Sequence, residues 1–129
     1  MLIFYIVESE SSIKPKGMYC CSEQKVYFSQ LSFFSFYQKA LTIYPEHSSI
    51  HLKYAGFLRH VRRNVNAAEV EYKKAIESNP NNADALGNYA SFLHGAHKKI
   101  DEAEKYYKLA VDLDDTHANN LCNFGLFLR

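Results

Sequence analysis

The chain has 129 residues, 47% of them hydrophobic, with 10 Tyr, 9 Phe and no Trp. That length suits one compact domain and hardly two. Lys+Arg total 15 against 14 Asp+Glu, a formal net charge of +1, so composition supplies no strong pull toward nucleic acid, acidic membranes or acidic substrates.

Cys20, Cys21 and Cys122 are an odd set with no regular spacing. They argue against a secreted disulfide framework and for reduced thiols in a cytoplasmic or otherwise intracellular protein. The apolar run Leu2 to Val7 stops at Glu8 and Glu10. It lacks a basic lead-in and a small-residue cleavage site, and it is too short to span a bilayer. A buried strand, an extended packing segment and a tail all fit it. Residues 1–30 read as an irregular or degenerate segment. A helix there would have to run through Pro15 and Gly17, and Glu23 falls on an apolar position. The alternative is one longer helix from Ser22 to Ile43.

From residue 31 a repeat takes over. Sliding the sequence by 35 residues aligns Tyr37, Tyr72 and Tyr107; Ala40, Ala75 and Ala110; and Pro45 and Pro80 with Asp115. It also aligns Tyr54, Tyr89 and Phe124, followed by Ala55, Ala90 and Gly125, and it pairs Ala68 with Ala103. No gaps are needed. Leu86, Tyr89, Ala90 and Leu93 sit at i, i+3, i+4 and i+7, one apolar stripe of a helix starting near Asn82 and stopping at Gly95. A second helix begins near Asp101, with Asp101, Glu102 and Glu104 favouring its positive end. Its apolar stripe is Ala103, Tyr106, Tyr107, Ala110, Val111 and Leu113. The small residues are where paired helices approach, and the aromatics fill the space between hairpins.

The order Leu86-x-x-Tyr89-Ala90-x-x-Leu93, then Ala103-x-x-x-Tyr107, Ala110 and Asp115 resembles the tetratricopeptide repeat. So does the preceding unit, with His51, Tyr54, Ala55 and Leu58, then Ala68, Tyr72, Ala75 and Pro80. Two departures stand out. His or Leu replaces the family's Trp, and the period is 35 rather than 34, with the extra residue expected in the hairpin turns near residues 61–64 and 96–99. The resemblance implies an all-α fold, a right-handed superhelical solenoid of antiparallel helix pairs. It divides into a half repeat 31–45, repeats 46–80 and 81–115, and a truncated repeat 116–129. Leu121, Phe124 and Leu128 of that last piece would lack their second helix. The expectation is a fragment of a longer array, or self-association through the uncapped helix. A weaker resemblance, carried by residues 52–58, is to the half-a-tetratricopeptide repeats of RNA-processing scaffolds.

In such an array the first helices line the concave groove. The resemblance places Ser49, Leu52, Lys53, Gly56 and Arg59 there from one unit. It adds Asp84, Asn88, Ser91 and His94 from the next, and Asn119, Asn123 and Leu126 from the last. Asn88 and Asn123 match a family position that holds the backbone of an extended peptide, an amide being both donor and acceptor. Lys53 departs from it and suits a carboxylate. The basic residues that clamp chaperone tails are missing, because Asn119 and Asn123 occupy their places. The expected partner is therefore another protein, through a peptide or helix, with no membrane and no nucleic acid. A basic ridge in the turns (Arg59, His60, Arg62, Arg63, then His94, His97, Lys98, Lys99) carries the RNA alternative; a regulatory segment of a larger multidomain protein is the other. No catalytic, cofactor or metal site is expected. His94 and His97 lack further ligands, no phosphate-cradling Gly-rich loop occurs, and His117 beside Cys122 does not make a nucleophile pair.

Overall fold

The computed structural model describes the backbone of residues 21–129 and the side chains from residue 31. The readings of residues 1–20, the apolar run and the helix through Pro15 and Gly17 included, lie outside the described residues. Contacts divide the chain into residues 1–31 and 32–129.

All described regular structure is helical: α1 Cys21–Ile43, α2 Ser48–His60, α3 Val65–Ser78, α4 Ala83–Phe92, α5 Ile100–Leu113 and α6 Ala118–Phe127. α2 pairs with α3 and α4 with α5, giving two stacked helical hairpins. Small residues explain the closeness of each pair. Ala55, Ala68, Ala90 and Ala103 are fully excluded from solvent, so the backbones meet without side chains between them. Ala75 and Ala110 are equally buried farther along α3 and α5.

One aromatic device joins each second helix to the next first helix. Tyr37 packs on Tyr54 and Phe57 at 5.5 and 5.7 Å between ring centroids. Tyr72 meets Tyr89 and Phe92 at 6.1 and 5.1 Å. Tyr107 meets Phe124 and Phe127 at 5.6 and 5.3 Å. These are offset and tilted arrangements that aromatic rings favour. Burial raises the phenols of Tyr72, Tyr89 and Tyr107 above their ordinary value, Tyr89 to about 12.

The helix ends follow from short polar side chains. Asn64 and Asn82 cap α3 and α4, each side-chain oxygen accepting an N–H at 3.1 Å from Ala67 or Ala85. His117 caps α6 by accepting from the Asn120 N–H at 3.3 Å. Asn79 and Asp114, 35 residues apart, leave helical geometry at φ −150° and −147°. Each then folds its side chain forward onto the N–H two residues on, that of Asn81 or Thr116. The Thr116 hydroxyl also donates to Asp114, and these bonds hold the Asp114 carboxyl below the usual range.

The extra residue of the 35-residue period has a definite home. In the usual Schellman ending, the N–H after the left-handed residue bonds a carbonyl five residues back. Here the Asn64 N–H bonds Leu58 O at 2.9 Å and the Lys99 N–H bonds Leu93 O at 3.2 Å, six residues back. The left-handed residues are Arg63 and Lys98, at φ 53° and 56°. In the second hairpin the widened coil extends as a π-helical turn over Leu93–His97. Each hairpin thus carries one inserted residue at the same register. The helix consequently does not stop at Gly95, as composition suggested. The left-handed cap is Lys98, and Gly95 serves another purpose: a Cβ there would lie 2.9 Å from Nη2 of Arg59. Leu113, assigned to the apolar stripe of α5, is the last residue of that helix and is 45% exposed.

Candidate groove and its charges

The first helices α2, α4 and α6 pack against one another in succession. Their outward stripe is the candidate site. On α2, Ser49 and Lys53 are exposed, Leu52 is half-buried against the core, and Gly56 has open space where a Cβ would stand. On α4, Asp84 and Asn88 are exposed and Ser91 is half-buried. The Asn88 amide donates to the Asp84 carbonyl at 2.8 Å, which leaves its oxygen to accept. On α6, Asn119 and Leu126 are exposed and Asn123 is half-buried. Leu121 and Leu128 are 43% and 64% exposed, whereas their register partners Leu86 and Leu93 are buried. Gly125 stands in open space and Phe124 is half-buried. Cys122 is an exposed free thiol.

The charges of the stripe are unequal. Asp84 is held by His117, 2.8 Å from Oδ1 to Nε2. Lys53 and Arg59 have no carboxylate partner among the described residues. The Arg59 guanidinium crosses from α2 to α4. Its Nη2 donates to Ser91 O at a long 3.4 Å, its Cζ lies 5.7 Å from the Phe92 ring centre, and the Tyr72 hydroxyl is beside it. All those neighbours are neutral.

Half of the basic turn ridge is engaged within the fold, and His60, Arg63, Lys98 and Lys99 are exposed. Arg62 lies 5.2 Å over the Phe34 ring, and His94 meets Phe127 edge-on at 5.2 Å. His97 sits 3.1 Å from Glu69, and Lys99 sits 3.5 Å from Glu102. Glu69 is also bonded to Lys73, which holds its carboxyl below the usual range. Among the described residues no group of three His, Cys, Asp or Glu side chains is placed to hold a metal ion. A depression of about 380 Å³ on the outer face of α5 is lined by Asp101, Glu104, Lys105, Lys108 and Leu109, of mixed charge.

Sequence reasoning missed a polar strand of contacts beneath the stripe. His51 Nδ1 is 2.6 Å from Glu71 Oε2, and its Nε2 donates to Pro45 O at 2.7 Å. Lys74 donates to the other Glu71 oxygen at 3.0 Å. The Ser48 hydroxyl donates to Ala75 O at 2.6 Å and accepts from the Asn82 amide at 2.8 Å, tying α2 to the start of α4. Asn120, 1% exposed, donates to Ala83 O at 2.9 Å and ties α6 to the same helix. Gly87 permits this, since a Cβ there would run into the Asn120 amide. The one sequence signal was His51 itself, polar in an apolar stripe.

No described helix is long and apolar enough to cross a membrane. Residues 71–105 match a family model described as "Tetratricopeptide repeat". Among solved structures, one similar chain is "First TPR of Spaghetti (RPAP3) bound to HSP90 peptide SRMEEVD", with a TM-score of 0.65 and 17% identity, covering 83% of this chain and 86% of that one. No curated protein matches the chain. The chain thus holds a tetratricopeptide repeat at residues 71–105, within a stacked-hairpin fold similar to that of a solved tetratricopeptide-repeat domain.

Proposed function

We propose that this chain is an intracellular protein-interaction module that takes an extended peptide or a helix along the stripe of α2, α4 and α6. The observation that carries the reading is the repetition of polar side chains at one register on successive first helices: Lys53 and Asn88, both exposed, and Asn123, half-buried. With its N–H committed to Asp84 O, the Asn88 amide keeps an oxygen for a peptide N–H, whatever the partner's side chains. The repeat match supports a binding role rather than a catalytic one, and the similar solved chain is named as holding a peptide. A nucleic-acid role loses support because half of the basic turn side chains are engaged within the fold. The test is selection of displayed random peptides on the full chain, followed by affinity measurement on the Asn88→Ala/Asn123→Ala variant. Binding about tenfold weaker in the variant is expected. Unchanged binding, at unchanged melting temperature, contradicts the reading.

A further inference from the structure

The unequal charges of the stripe say more than that it is polar. Arg59 is a half-buried cation whose neighbours are a carbonyl at 3.4 Å, a phenol and a ring face. A guanidinium has five N–H donors and cannot lose its charge, so partial burial without a counter-charge costs free energy that an arriving anion would recover. Room for that anion exists. Gly56, one turn before Arg59 on the same helix, has nothing within 4 Å of its Cβ position. Lys53 adds an exposed charge one turn farther back. The acid of the stripe, Asp84, is taken by His117 and does not compete.

We propose that Arg59 is a specificity residue that receives a side-chain carboxylate of the bound peptide, with Lys53 adding long-range attraction, so that the module selects acidic segments. This rests on the groove reading above. The cations lie on α2, whereas α6 offers Asn119 and Asn123. The acidic residues of the ligand therefore sit at the α2 end, and its remaining length runs toward α6.

The test is selection on the full 129-residue chain with random peptides displayed through their C-termini, so that no free terminal carboxylate is offered. Selected peptides are expected to be enriched in Asp and Glu. The affinity of one such peptide should fall about tenfold with Arg59→Gln, less with Lys53→Gln, and little with Arg59→Lys. It should also weaken with added salt. Should Arg59→Gln fail to fold, Lys53→Glu on the exposed surface decides, because charge reversal there must weaken acidic peptides and spare neutral ones. Selected peptides without acidic enrichment that still lose affinity with Asn88→Ala overturn this inference and leave the groove standing. Peptides indifferent to Arg59, Lys53 and Asn88 alike, or no selected peptides at all, overturn both.

Discussion

The two hairpins are built on one backbone plan and filled with different chemistry. In the second, Leu86 and Tyr106 occupy register positions that His51 and Glu71 hold in the first. Leu86 is 4% exposed, and Tyr106 packs edge-on against Tyr89 at 4.9 Å. His51 and Glu71 are 5% and 8% exposed, and their polar atoms are bonded to each other, to Pro45 O and to Lys74. Small-residue contacts and the interlocking aromatics thus set the hairpin, and the space beside them accepts either an apolar pair or a satisfied polar pair. The polar solution is conditional, because a buried polar group is tolerated only while its partner is present.

That difference gives the largest expected effect. Glu71→Leu alone leaves the buried His51 nitrogen unpaired and should cost about 3 kcal/mol in urea unfolding. The double variant His51→Leu/Glu71→Tyr, which writes the second hairpin's residues into the first, should recover most of it. A double variant as unstable as the single one would show that the hairpins are not equivalent frames. Next comes the joint between units. Gly87→Ala should cost about 2 kcal/mol by overpacking against Asn120, and adding Asn120→Ala should relieve it. Additive losses in that cycle would rule out the contact. Smaller again are the turn tips. Lys98→Gly and Arg63→Gly should each stabilise by up to about 1 kcal/mol, since glycine adopts the left-handed conformation without strain. Equal gains at both sites would sharpen the equivalence of the two turns, and a loss at either would break it. The last effect lies outside the ordinary pH range. The Tyr89 phenol is raised from 10.0 to about 12, so the unfolded chain loses its proton first. Stability should hold below pH 10 and fall as pH rises toward about 12. A Tyr89→Phe variant whose stability falls just as steeply over that pH range would contradict the assignment to Tyr89.

Much of this organisation was legible because repetition multiplies weak signals. One Tyr at position 72 says little, but three at a spacing of 35, each followed three residues later by Ala, mark interlocking hairpins. The same shift foretold an extra turn residue, yet could not say that it becomes a hydrogen bond reaching six residues back, beside a left-handed Arg63 or Lys98. Gly95 misled because glycine at a helix end usually marks the left-handed cap, whereas here its missing side chain makes room for Arg59. The His51–Glu71 pair and the Asn120–Gly87 contact stayed invisible for another reason. Each joins residues on different helices, and the second unit, with Leu86, Tyr106 and Ala85 at the matching positions, offers no echo of either. The groove residues were placed by register alone; the charge inequality among them emerged only when Asp84 was seen to be held by His117.

The central claim is that the stripe of first helices is the binding face. Amide chemical-shift mapping on the isotope-labelled chain, titrated with a selected peptide, tests it most directly. The account predicts shifts concentrated at Lys53, Gly56, Asn88, Ser91 and Asn123. Shifts concentrated at Asp101, Lys105 and Lys108 on the outer face of α5 would contradict it.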